Sequence, residues 1–277
     1  MKAGLIVNLK KAGIKKIVEE IVDYLLKNNI KPSFLKAEAT FLGYDNYSDL
    51  EDNLSTIDFV IAIGGDGTIL RTAHTLKGKE IPTIGINLGS LGFLTTFSEE
   101  EKIKAVEDFL NRKVNIEKRL LIKVIFKNKE YLVLNDVVIN MGESSRMIEI
   151  NLYVDGELVN KFNGDGIIIA TPTGSTAYSL AAGGPIVHPS SEVFIITPIA
   201  PHLLSSRPLI LPTHLKLKLL LGGKNPPAHL VLDGQKVFLL NLNEEVFIEK
   251  AENYFLLVNK KERTYFEILK KKLKWGF

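Results

Sequence analysis

Apolar positions along the first third of the chain follow two alternating periods. Leu5-Ile6-Val7 is a short run of buried-strand type. Ile14, Ile17, Val18, Ile21, Val22, Leu25 and Leu26 then recur at helical spacing and predict an amphipathic helix, which Asn28-Asn29 ends. A second strand is expected at 33–36, and the polar stretch 44–55 reads as loop-rich. Ile57-Asp58-Phe59-Val60-Ile61-Ala62-Ile63 is a buried strand. A glycine-rich turn follows it directly, and a helix starting near Thr68 carries Ile69, Leu70, Ala73 and Leu76. The strand Thr83–Asn87 leads into a second glycine-rich segment, Leu88-Gly89-Ser90-Leu91-Gly92-Phe93. Ser98 and Glu101 have capping-box spacing ahead of a helix with Ile103, Val106, Phe109 and Leu110. Strands alternating with helices predict a mostly parallel, Rossmann-like α/β sheet.

From Leu120 the pattern turns to strands: 121–126, 131–139, 148–154, 166–170, 193–197, 215–221, 229–232 and 245–250. Turn formers separate them, among them Lys127-Asn128, Asp155-Gly156, Gly222-Gly223 and Asp233-Gly234. The reading is an α/β domain over 1–112, a β-rich domain over 113–255 and a terminal segment over 256–277. Within that segment, 265–275 is a basic amphipathic helix or strand.

Composition narrows the chemistry. Of 277 residues, 45% are apolar, enough for a sizeable core. The formal charge of +3, from 35 basic and 32 acidic side chains, is too even to argue for nucleic acid and suits anionic small molecules. The chain has no cysteine, which excludes disulfides, thiol catalysis and thiolate metal sites and fits a reducing cytoplasm. No apolar run is long enough to span a membrane or serve as a signal peptide. The five histidines lack metal-ligand spacing.

The first motif is Gly64-Gly65-Asp66-Gly67-Thr68, between a strand and a helix. Its glycines let backbone N–H groups approach an anion, and the helix N-terminus adds partial positive charge. A carboxylate repels phosphate, so Asp66 serves a different purpose, either accepting a proton or holding a metal ion between phosphates. A kinase needs one or both. As an ordinary turn, the same residues would leave Asp66 capping the helix. The P-loop and the standard dinucleotide fingerprint are both absent. The second motif is Asn163-Gly164-Asp165-Gly166, a strand, then Thr171-Pro172-Thr173-Gly174-Ser175-Thr176-Ala177-Tyr178-Ser179. It concentrates hydroxyls near one point, with Tyr178 able to stack on a base and Asp165 able to bind a ribose hydroxyl or ring amino group. A plain loop of turn formers is the alternative. The third is Asn135-Asp136 inside an apolar strand, where neighbouring side chains face opposite ways. They meet ligand hydroxyls or form a satisfied core pair.

Taken together, Gly64–Arg71, Asn87–Leu94, Asn135-Asp136, Gly164-Asp165-Gly166, Thr171–Tyr178, Thr197–His202 and Ser206-Arg207-Pro208 resemble NAD kinases from the first strand to Trp275. The Gly-Gly-Asp-Gly turn alone is shared with phosphofructokinases and diacylglycerol-type lipid kinases. The resemblance implies ATP-dependent phosphorylation of the 2′-hydroxyl on the adenosine ribose of NAD. It also implies the α/β and β-rich domains, a terminal segment returning to the first domain, and a homodimer or homotetramer in the cytoplasm. By motif position Asp66 is the proton acceptor and Gly67 lies beside the substrate. Arg71, Asn135, Asp136, Arg146, Asn163, Asp165, Thr176, Ala177, Tyr178, Ser179, Leu180, Ala181, Ala200 and Gln235 line the dinucleotide site. Gly64, Gly65, Gly67 and Thr68 form the phosphate loop. Position 163 is Asn where the family often has a basic residue. With no P-loop lysine, a divalent metal, Mg²⁺, is expected to bridge the ATP phosphates. A lipid kinase would need an exposed acyl groove, which the sequence does not display. A dinucleotide-sensing module leaves Asp66 without a purpose.

Overall fold

The computed structural model describes residues 1–89, 92–143, 146–223 and 227–275. Ser90 and Leu91 of the second glycine-rich segment lie outside the described residues. Internal packing divides the chain into two units, Met1–Lys118 with Phe255–Phe277, and Arg119–Tyr254.

The first unit runs β1 (Lys2–Val7), α1 (Ile14–Lys27), β2 (Lys31–Phe34), α2 (Lys36–Leu42), β3 (Phe59–Gly64), α3 (Asp66–Leu76), β4 (Thr83–Asn87), β5 (Phe97–Ser98) and α4 (Lys102–Leu110). Its strands are parallel, in the order β2-β1-β3-β4. Ile14, Ile17, Val18, Ile21, Val22 and Leu25 of α1 pack on Leu5, Phe59, Ile61 and Ile63 in one core. Each such buried aliphatic side chain contributes roughly 1.5–3 kcal/mol. β1 sends the chain outward to β2 on one side, while β3 lies on its other side. In open parallel sheets such a switch point, at the carboxyl ends of the strands, is where ligands bind. The glycine turn follows β3 at that edge.

Two local expectations change here. The second strand ends at Phe34, and Lys36 opens α2, a helix the sequence pattern did not reveal. The Ser98–Glu101 pair is half a capping box. Glu101 accepts from the Ser98 N–H at 3.0 Å, but the helix begins only at Lys102, with Glu101 itself at the N-cap.

β6 (Val114–Phe126) leads into the second unit, which continues with β7 (Lys129–Val133), β8 (Asp136–Asn140), β9 (Ile148–Val154), β10 (Glu157–Gly164), β11 (Gly166–Ala170), α5 (Tyr178–Ala181), β12 (Val193–Ile199), β13 (Leu209–Pro212), β14 (Leu217–Gly222), β15 (Ala228–Leu232), β16 (Lys236–Leu240) and β17 (Glu245–Lys260). One antiparallel sheet has the order β13-β12-β11-β8-β15-β16, and another contains β10-β9-β14-β17. Their inner faces share a core in which Ile167 and Ile169 of β11 meet Ile150 and Leu152 of β9. The alternate residues of β11, Ile168 and Ala170, are buried on the other face with Val138 and Ile195. Both faces are covered, so β11 is apolar throughout.

The apolar run 131–139 is not one strand. It breaks at Leu134-Asn135 into β7, which pairs with β6, and β8, which pairs with β11 and β15. The last strand is longer than expected, and Leu257 and Val258 of β17 pair in parallel with Thr83 and Ile84 of β4. α6 (Tyr265–Leu273) settles the terminal segment as helix, with a complete capping box between Thr264 and Glu267. Among the described residues no helix is long and apolar enough to cross a membrane.

Candidate active site

In the first unit the site is built around Asp66, the first residue of α3. Gly65 is the N-cap and no side chain caps the helix, so Asp66 is not serving as a cap. Its carboxylate turns instead to the loop after β4. Oδ2 accepts from the Phe93 N–H at 2.8 Å. Oδ1 accepts from the N–H groups of Leu94 and Thr95 at 3.0 and 3.1 Å and from Thr95 Oγ1 at 3.2 Å. Each carboxylate oxygen has two lone pairs. Among the described residues Oδ1 is therefore crowded with three donors, while Oδ2, with one, retains room for another. Gly64 is forced by packing, because a Cβ there would collide with Thr68 Oγ1. Among the described residues, a Cβ on Gly65 or Gly67 would meet nothing within 4 Å.

Arg71 lies one turn along α3. Its Nη2 donates to the Val7 carbonyl at 2.8 Å and stands 2.7 Å from Glu38 Oε1. The latter contact is an ion pair outside hydrogen-bond geometry, since Glu38 Oε1 has no aligned donor. Glu38, on α2, also accepts from the Val7 N–H at 2.8 Å. Burial pushes its carboxyl up to about 7, against the opposing pull of Arg71 and the Val7 amide. Arg71 is 40% exposed at its side chain, so it is anchored without being enclosed.

In the second unit, Asn135, Asp136, Ala177 and Tyr178 line one pocket of about 380 Å³ together with Asn140 and Asp233. Asp136 is buried, and desolvation, then the nearby Asp233 charge, pushes its carboxyl up to about 7. Asn135 Oδ1 has no hydrogen-bond partner among the described residues. Most hydroxyls of the Thr171–Ser179 segment hold the loop together. Thr171 Oγ1 donates to the Leu134 carbonyl at 2.6 Å, Ser175 Oγ to Pro172 at 2.7 Å, and Ser179 Oγ pairs with Thr197 Oγ1 at 2.8 Å. Tyr178 is 46% exposed at the pocket.

Asn163, Asp165 and Ala200 form a separate group. The Asp165 N–H donates to Ile199 at 3.0 Å and the His202 N–H to Asn163 at 2.8 Å. Gly164 and Gly166 bracket Asp165 because backbone carbonyls of Ile199 and Ile139 occupy the places of their side chains. Ala200 has φ 41, a left-handed conformation rare for a residue with a Cβ. Arg146 and Gln235 are exposed and do not line the 380 Å³ pocket. Sequence reasoning missed the loop amides that hold Asp66, the carboxylate of Glu38 and that of Asp233. The last was legible only as half of an Asp-Gly turn.

Among the described residues no three His, Asp or Glu side chains cluster as a metal cage. The Asp66 carboxylate is largely taken up by loop donors.

Residues 3–114 match the family model of the ATP-NAD kinase N-terminal domain, and residues 134–260 that of the ATP-NAD kinase C-terminal domain. The chain is 38% identical over 278 residues to the NAD kinase of Thermoanaerobacter sp. (strain X514), covering 98% of each. It is 39% identical over 280 residues to that of Chlorobium phaeobacteroides (strain BS1), covering 100% of this chain and 98% of the other. An NAD kinase from Archaeoglobus fulgidus, solved in complex with ATP, matches at 28% identity and TM-score 0.79 over 99% of both chains. Yeast NADH kinase, solved with NADH, matches at 24% identity and TM-score 0.90, over 100% of this chain and 88% of its own, and shows the shared fold.

Proposed function

The chain belongs to the NAD kinase family, and from that premise we propose how its own residues divide the reaction between them. The overall chemistry is transfer of the γ-phosphoryl group of ATP to the 2′-hydroxyl of the adenosine ribose of NAD, giving NADP. In our reading Asp66 is the general base, and Oδ2 is the oxygen that takes the hydroxyl proton.

The observation that carries this is the turn of Asp66 away from its own helix onto three loop amides and a hydroxyl, with Oδ2 left the less occupied oxygen. A carboxylate is a modest base, so proton transfer helps late, in a loose phosphoryl-transfer transition state. Most acceleration comes from alignment and charge neutralisation. Gly64, Gly65, Gly67 and Thr68 form the phosphate loop, and Mg²⁺ arrives with ATP. Arg71, Asn135, Asp136, Arg146, Asn163, Asp165, Thr176 to Ala181, Ala200 and Gln235 hold the dinucleotide. Asp136 offers its carboxyl to a ribose hydroxyl and Tyr178 its ring to a base. The same reading makes the protein a cytoplasmic homodimer or homotetramer. Val237 and Leu239, 60% and 53% exposed on the outer strand β16, support association, and light scattering tests it.

The decisive experiment supplies NAD and Mg·ATP, follows NADP, and compares Asp66→Asn with the unsubstituted protein. A loss of turnover on the order of 10²-fold or more with NAD affinity kept is expected. Retained turnover would remove Asp66 as the base.

A further inference from the structure

The Asn135-Asp136 turn sits where the chain leaves β7 in one sheet and enters β8 in another. Asp136 stands opposite Ala170 at the start of β8, but the N–H groups of Leu134, Asn135 and Asp136 go to a side chain rather than to a strand carbonyl, and a buried N–H without a partner is costly. The turn's backbone groups are satisfied by two braces. On one side the Thr171 N–H donates to the Asn135 carbonyl at 2.8 Å, and Thr171 Oγ1 donates to Leu134. Gly174 completes this side, because a Cβ there would collide with the Asn135 carbonyl. On the other side stands Asp233, between β15 and β16. Its Oδ2 accepts from the Leu134 N–H at 2.9 Å, and its Oδ1 accepts from the Asn135 and Asp136 N–H groups at 2.7 and 3.1 Å. The Asp233 N–H returns a bond to the Asp136 carbonyl at 2.9 Å.

Three consecutive amides converging on one carboxylate form a small anion-binding nest. Here the anion is a side chain about a hundred residues away in sequence. Asp233 is buried and has φ 51, a conformation that residues with a Cβ seldom adopt. A turn needing only to reverse the chain would take Gly at that position without penalty. With the backbone of 134–136 fully engaged, the Asn135 and Asp136 side chains are what the turn presents to the pocket.

We propose that Asp233 is a positioning residue for dinucleotide binding, which sets the direction of the Asn135 and Asp136 side chains by clamping the three amides of their turn. This rests on the reading of Asn135 and Asp136 as NAD ligands. Asp233→Asn replaces one acceptor oxygen by an NH₂ that faces an N–H. Asp233→Glu keeps the charge but moves the carboxylate one methylene outward.

The test measures steady-state NADP formation by the full chain. For both variants the KM for NAD is expected to rise about 10-fold or more, with kcat within about 3-fold and the KM for Mg·ATP unchanged. A merely structural role would lower kcat through the active fraction, leave both KM values alone, and be rescued by the charge-conserving Glu. Thr171→Val, which removes the opposite hydroxyl brace, provides the same readout if the Asp233 variants do not fold. An unchanged KM for NAD in an active variant overturns the inference. Failure of the unsubstituted protein to make NADP overturns the functional reading beneath it instead.

Discussion

Asp66 and Gly92 compete for one space: a Cβ on residue 92 would overlap the Asp66 carboxylate. Glycine at this position is thus required by the side chain it faces, not by its own backbone angles. Asp66 can lie flat against the N–H groups of residues 93 to 95 only because position 92 has no side chain.

Gly92→Ala is accordingly expected to push Asp66 off its donors and lower kcat by about 10²-fold, since displacements near 1 Å at a reacting group carry penalties of that size. Gly89→Ala is the internal control. Among the described residues a Cβ there would meet only Lys11 Nζ, at 3.8 Å, and activity should stay near that of the parent. NADP formation by the two variants, with circular dichroism as a check on folding, separates them.

The strand–glycine–helix passage at 59–76 was legible because a run buried on both faces is apolar at every position, and glycines then mark its end. What holds the Asp66 carboxylate there was not legible. Its donors are backbone N–H groups nearly thirty residues away, and a backbone amide leaves no trace in residue type. The stretch 131–139 misled for a related reason. Its apolar pattern continues through Leu134, but the chain changes sheets there, held by Thr171 and Asp233, which lie far along the sequence. Helix α2 hid because its buried residues, Glu38 and Ala39, include a charged one. A buried glutamate reads as a surface residue until Arg71 and the Val7 amide are seen beside it.

Arg71→Met is expected to destabilise the protein more at pH 8 than at pH 5.5. The guanidinium is the cation beside buried Glu38, whose carboxyl already stands at about 7. Without it the carboxylate is costlier still and protonation is favoured further. A raised acid contributes stability that is full below its unfolded value and is lost as pH rises through its folded value. The variant's melting temperature should therefore fall more steeply above pH 6. Breaking a fully buried pair costs about 3–5 kcal/mol. With the guanidinium 40% exposed, about 1–2 kcal/mol is the expectation at pH 8. The double variant Glu38→Gln, Arg71→Met should recover most of the pH-dependent part.

Arg263 supports Asp66 from the far end of the chain. Its Nη1 donates to the Thr96 carbonyl at 3.1 Å, next to Thr95, whose N–H and hydroxyl both bind Asp66 Oδ1. Arg263→Ala should loosen that loop and lower kcat about 10-fold, leaving the KM values for NAD and ATP in place. Saturation kinetics for both substrates check this, and equal changes in all three constants would argue against it.

Asp136 should show opposite effects on stability and on binding. Desolvation and the neighbouring Asp233 charge raise its carboxyl to about 7. Its unfolded value is near 4, so the native state loses stability as pH rises from about 4 through 7. Asp136→Asn removes the ionisation. The variant's melting temperature should exceed the parent's at pH 8 and approach it at pH 5, where the parent's carboxyl is protonated. Each kcal/mol recovered corresponds to roughly 2–4 °C. The same substitution removes the carboxyl proposed to meet the ribose hydroxyl, so the KM for NAD should rise about 10-fold at pH 8. A stability gain paired with an affinity loss is expected of a residue kept for its ligand rather than for the fold. Thermal melts and NAD kinetics on one preparation at the two pH values test both halves, and a variant less stable at pH 8 would place Asp136 among the structural residues instead.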